Sequence, residues 1–67
     1  MPYQDLSDLP ERVRENLPKH AQEIWRAAYN SASEQYEDED TPFKVAWAAV
    51  ERDYEKGGDG RWHRKGD

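Results

Sequence analysis

Three of the four prolines in this 67-residue chain sit where a helix would begin, and they divide it into three helical segments. Proline presets φ for the first helical turn, has no N–H to lose there, and drives the preceding residue into extended geometry. Leu9-Pro10-Glu11-Arg12-Val13 is echoed eight residues later by Leu17-Pro18-Lys19-His20-Ala21, and Thr41-Pro42 places a capping residue ahead of the third start. The first start predicts a short helix 1 from about Leu9 to Asn16. Asp8 is its expected N-cap, with Glu11 completing a capping box and Ser7 as the alternative cap.

Helix 2 is predicted from Pro18 to about Glu37. Ala21, Ile24, Trp25, Ala28, Ala32 and Tyr36 fall three and four residues apart and form one apolar stripe, with Tyr29 bordering it. Lys19, Gln22, Glu23, Arg26, Asn30 and Glu34 occupy the other face. The consecutive carboxylates Glu37-Asp38-Glu39-Asp40 then meet the negative end of the helix dipole and end it. Helix 3 is predicted from Pro42 to about Lys56, with Phe43, Ala46, Trp47, Val50 and Tyr54 as its main stripe. Val45, Ala48 and Ala49 leave that helix little polar surface, which predicts that residues 45–50 are buried on more than one side at the centre of the core. Gly57-Gly58 reads as its left-handed C-terminal cap. Asp59-Gly60 reads as a turn, and Arg61-Trp62-His63-Arg64-Lys65 as a basic aromatic tail.

No cysteine is available to staple these helices, and only 34% of residues are hydrophobic, so a small apolar core must hold them and stability is marginal. Ten Lys and Arg against fifteen Asp and Glu give a net charge of −5. No apolar run approaches the roughly 20 residues that span a bilayer. Met1-Pro2-Tyr3-Gln4-Asp5 lacks the basic start of a secretory signal. One cytoplasmic domain over residues 1–67, without membrane insertion, is the expectation.

The chain has no cysteine nucleophile, glycine-rich phosphate loop or Gly-x-Ser-x-Gly elbow, and reads as a non-enzyme without a cofactor. His20, in the first turn of helix 2, is expected to be partly buried and to cap or bridge the first two helices; His63 is expected to be solvated or packed on the surface. Neither has zinc-ligand spacing, so no metal site is assigned. The acidic run lacks EF-hand spacing and a turning glycine, and reads as a solvated loop. Three Trp, four Tyr and one Phe supply most of the core volume, with Trp25 and Trp47 on helical stripes. Trp62 follows a glycine-rich turn among basic residues. It reads as a lid folded back on the helices, with an exposed partner anchor as the alternative.

Leu9-Pro10, Leu17-Pro18-x-His20-Ala21-Gln22-x-Ile24 with Trp25, Tyr29-Asn30-Ser31-Ala32, Gln35-Tyr36, Lys44-Val45-Ala46-Trp47-Ala48-Ala49-Val50 and Trp62-His63, in that order, closely resemble the ChaB family of cation transport regulators. The resemblance covers nearly the whole chain. It implies a mostly α, compact three-helix domain, with a short helix 1, long helices 2 and 3, and a minimal two-stranded antiparallel pairing of the N- and C-terminal segments. Pro2-Tyr3-Gln4 and Arg61-Trp62-His63 are the candidate strands, since Tyr3 and Trp62 have strand character. The chain departs from the family between helices 2 and 3, where ChaB proteins carry a longer charged insertion and Glu37 to Thr41 makes a tight bridge here.

The resemblance further implies a protein partner on the cytosolic face of a membrane cation/proton antiporter, but it brings no catalytic or binding residues. The candidate partner-binding residues are Glu37, Asp38, Glu39 and Asp40 in the acidic loop and Arg61, Trp62, His63, Arg64 and Lys65 in the tail, a pair of opposed charge sets. Two other readings are a nucleic-acid-associated module and a weak cation sensor through residues 37–40. The first draws on the basic tail and on ChaB-like chains that continue into a segment resembling the N-terminal domain of a transcription termination factor; the net charge of −5 opposes it.

Overall fold

Pro10 and Pro18 stand as the N-cap residues of α1 (Glu11–Asn16) and α2 (Lys19–Gln35) in the computed structural model, which describes residues 3–66. A 3-10 turn (Leu6–Asp8) precedes them; α3 (Asp40–Glu51), β1 (Tyr54–Lys56) and β2 (Trp62–Arg64) follow. The Pro10 carbonyl accepts from the N–H of Val13 and Arg14, and the Pro18 carbonyl from that of Gln22, so each proline launches its helix through its own C=O. Asp8 does not cap α1. Pro10 forces Leu9 into extended backbone and Leu9 is buried, which turns Asp8 back to accept the Asp5 N–H at 3.3 Å.

The third helix begins two residues ahead of its proline, and Thr41 is not its cap. Asp38 Oδ2 accepts both the Thr41 N–H at 2.9 Å and the Thr41 hydroxyl at 2.7 Å. The acidic run, unfavourable at the end of α2, is thereby placed at the positive start of α3. Pro42 becomes the third helical residue, where its missing N–H is one that the first turn leaves unpaired in any case.

Helix α3 ends at Glu51 rather than Lys56. Tyr54 is buried, as its place on the stripe requires, but as the first residue of β1. An apolar residue four after Val50 suits either a continuing helix or a strand packed on the same core. β1 and β2 pair antiparallel in the register Tyr54↔Arg64, Glu55↔His63, Lys56↔Trp62. The expected two-stranded antiparallel sheet is present and contains Trp62-His63, but its partner strand is local. Tyr3 and Gln4 belong to no strand, and Pro2 lies outside the described residues. Gly57-Gly58 opens the hairpin loop instead of capping a helix, and the left-handed residue of that loop is Gly60, at φ +84°.

Trp25 is the centre of the core, with 0% of its surface exposed. Tyr29 stacks on it at 5.2 Å between ring centroids, and Phe43 and Trp47 meet it edge-on at 5.5 and 6.1 Å. Leu9, Val13 and Leu17 cover it from the α1 side, while Ala21, Ala46 and Val50 line the packed α2 and α3. The expectation of a doubly buried α3 fails: Val45 and Ala48 are exposed and Trp47 is only half-buried. The buried positions Pro42, Ala46 and Val50 face one layer, and among the described residues the opposite side of α3, with Val45 and Ala48, stays uncovered.

Candidate docking surface

The short link after α2 carries exposed Glu37, Asp38 and Glu39, and exposed Asp40 opens α3. With Glu34 they make five carboxylates in residues 34–40, without a Lys or Arg among them. The remaining ten carboxylates balance the ten basic residues, so the formal charge of −5 resides at this tip. Thr41 holds the Asp38 carboxyl below its usual range through its hydroxyl and then its N–H. Among the described residues these side chains do not converge on a metal-binding group.

The second candidate set lies at the other end. Because α2 and α3 form a helical hairpin, the twelve residues of α3 carry the chain about 18 Å from the tip before the β-hairpin begins. That exceeds the Debye length of about 8 Å at physiological salt, so the two sets act as separate surfaces. Arg61, His63, Arg64 and Lys65 are exposed. Trp62 is half-buried and tilts onto Trp47 at 5.5 Å, the lid expected of it. Asp59 organises the loop: its Oδ1 accepts the Arg61 N–H at 3.0 Å and lies 3.2 Å from His63 Nε2. The Arg61 N–H first, and His63 second, hold the Asp59 carboxyl below its usual range.

His20 does not bridge the first two helices. It is exposed and meets Tyr54 edge-on at 6.4 Å, since the second residue of α2 faces the β-hairpin. The bridge is Gln22, whose Nε2 donates to the carbonyls of Leu17 at 2.8 Å and Arg14 at 3.2 Å.

Two hollows adjoin the Trp47–Trp62 contact. One, of about 390 Å³, lies between α1 and α3 and is lined by Pro10, Arg12, Val13, Phe43 and Trp47. The other, of about 240 Å³, lies where the α1–α2 junction faces β2 and includes Glu15, Leu17, Pro18, Arg61 and Trp62. Arg12 was not among the candidates read from sequence: a six-residue helix has too little periodicity to show which neighbour its polar side chains will border.

A family model described as ChaB matches residues 9–65. The chain belongs to the ChaB family. Proteins named "Putative cation transport regulator ChaB" from Escherichia coli (strain K12) and Shigella flexneri are each 51% identical to it over 75 aligned positions, covering 97% of this chain and 99% of theirs. An NMR solution structure of the ChaB protein so named has 50% sequence identity, with a TM-score of 0.86, and covers 96% of this chain and 99% of that one. The alignment is longer than the 67 residues of this chain, so these ChaB relatives carry residues absent here, in keeping with the short α2–α3 link. Among the described residues of this ChaB-family chain, no helix is long and apolar enough to cross a membrane.

Proposed function

We propose that this chain is a non-enzymatic regulator of cation transport, a single ChaB-like domain over residues 1–67 that docks from the cytoplasm on a cation/proton antiporter. The names of its relatives supply the process. The observation that carries the docking is the concentration of charge at the tip formed by residues 34–40. Cytosolic loops of membrane proteins are enriched in Lys and Arg, while the cytosolic leaflet itself is anionic. An acidic tip is attracted to the first and repelled by the second, which favours the transporter over bare lipid. The basic hairpin at the far end then gives the docked molecule a fixed polarity.

Co-purification from membranes containing the antiporter, at physiological salt, tests this reading. Capture of the protein, reduced several-fold when residues 37–40 are changed to Gln and Asn, is expected. Absence of a complex together with unchanged transport after deletion of the gene overturns it.

A further inference from the structure

We propose that the two hollows flanking the Trp47–Trp62 contact form one docking groove for an extended peptide segment of the partner, with bulky apolar side chains flanked by carboxylates. This deepens the docking reading above and rests on it.

Shape comes first. α1 borders both hollows, through Arg12 and Val13 in the first and Glu15 and Asn16 in the second, where the extended Leu17 that ends the helix continues the lining. The opposite wall runs from Phe43 to Trp47 and, across their 5.5 Å contact, to Trp62. A chain with 34% hydrophobic residues thus leaves three large rings half-buried on the linings of these two hollows. Arginine and aromatic side chains are the residues most enriched at energetically dominant contact positions.

Charge selects the occupant. Arg12 and Arg61 border the two hollows and are exposed, and neither is in an ion pair among the described residues. Glu15 is the carboxylate on the lining, so with His63 neutral the groove carries a net +1 on a molecule whose total is −5. A planar guanidinium beside an aromatic ring binds a carboxylate through two parallel hydrogen bonds and repels a lysine. The groove therefore accepts an acidic, apolar segment and rejects a basic one.

The test is an NMR titration of the isolated chain with three probes. One is a capped peptide with leucine and phenylalanine between pairs of aspartates; the others are the same peptide with lysine for aspartate, and a single-stranded oligothymidylate. The aspartate peptide is expected to shift the Trp47 and Trp62 indole signals saturably, and the combined Arg12→Gln and Arg61→Gln variant to weaken it about tenfold or more, the effect of losing charged hydrogen bonds. The variant's unchanged melting temperature serves as the control that it folds. No saturation by the aspartate peptide, equal binding of the lysine peptide, binding of the oligonucleotide in its place, or self-association as the source of the shifts overturns the proposal. Capture of the arginine variant on antiporter membranes at the wild-type level also removes the groove while leaving tip-mediated docking standing.

Discussion

Asn30 holds Tyr3 by both of its main-chain groups: Asn30 Oδ1 accepts the Tyr3 N–H and Nδ2 donates to the Tyr3 carbonyl, each at 2.8 Å. Arg26 donates to the next carbonyl, that of Gln4, also at 2.8 Å. The segment so fixed lays the Tyr3 ring 4.9 Å from Tyr29 and 6.0 Å from Trp25. Two polar residues on the outer face of α2 thus secure a strap that helps close the core. Asn30→Ala is expected to cost about 1–3 kcal/mol, the effect of orphaning partly buried main-chain groups, read as a lower urea midpoint at unchanged slope. Burial first, and Tyr29 next, raise the Tyr3 phenol above its usual value. An acid raised in the folded state contributes stability that is present below its unfolded value and lost as pH rises through the folded one. Stability is therefore expected to fall above about pH 10, and less steeply in Tyr3→Phe.

The tryptophans separate the true centre of the core from its margin. Trp25→Ala is expected to cost about 3–5 kcal/mol, comparable with the whole stability of so small a domain, and to leave the chain unfolded by far-ultraviolet circular dichroism. Trp47, only half-buried, has less apolar area to lose. Trp47→Ala should cost about 1–2 kcal/mol and retain a cooperative melt at lower temperature. Trp25 Nε1 is buried without a hydrogen-bond partner, so Trp25→Phe removes a donor whose desolvation is uncompensated and should be milder than Trp25→Ala. Equal melting temperatures for the two alanine variants would contradict the burial difference.

Where the chain signals its own geometry by local chemistry, the sequence is easy to read. Pro10 and Pro18 set helix starts because a fixed φ and an absent N–H act at one residue, and the spacing of Ala21, Trp25 and Ala32 declares a buried face. Helix ends depend on competition with distant groups, and there the reading slips. Tyr54 satisfies the core in either backbone state, and the choice of strand is made with Arg64, ten residues away. Asp38 looks like part of a repulsive run until Thr41 is seen to need an acceptor. The candidate surfaces follow the same division. The charge at the tip is visible in the composition of residues 34–40, whereas the neighbourhood of Arg12, Trp47 and Trp62 exists only after three separate elements have packed.

Asp38 offers a pH test of the α3 start. Its carboxyl is held low chiefly by the Thr41 hydroxyl and then by the Thr41 N–H. A depressed acid contributes stability that is present above its unfolded value, about 3.9, and lost as pH falls through the lowered folded value. On acidification the Thr41 amide signal should hold its position into the range where ordinary aspartates are already protonated, and then move as the first turn of α3 frays. Asp38→Ala should abolish that late transition and speed amide exchange in the first turn of α3 at neutral pH. A Thr41 amide that titrates with the bulk of the carboxylates would mean that Asp38 is not its partner.

The glycines of the hairpin loop give a graded test of how Trp62 is held in place. A Cβ on Gly57 would stand 2.7 Å from His63 Cδ2 and 3.1 Å from Asp59 Oδ1, whereas one on Gly58 meets nothing within 4 Å. Gly60 also has open space, but its φ of +84° strains any L side chain by about 1–2 kcal/mol. Gly58→Ala should therefore be silent. Gly60→Ala should loosen the loop through the backbone alone, leaving the His63 to Asp59 contact formed in the folded molecules. Gly57→Ala must displace the His63 ring, which separates it from Asp59 and removes one of the groups that hold that carboxyl low. Its signature is a rise in the Asp59 titration midpoint toward the ordinary value, accompanied by greater quenching of Trp62 fluorescence as the lid lifts from Trp47. If all three alanine variants quench alike, the His63–Asp59 contact does not position Trp62, and the hairpin is held by its strand ladder alone.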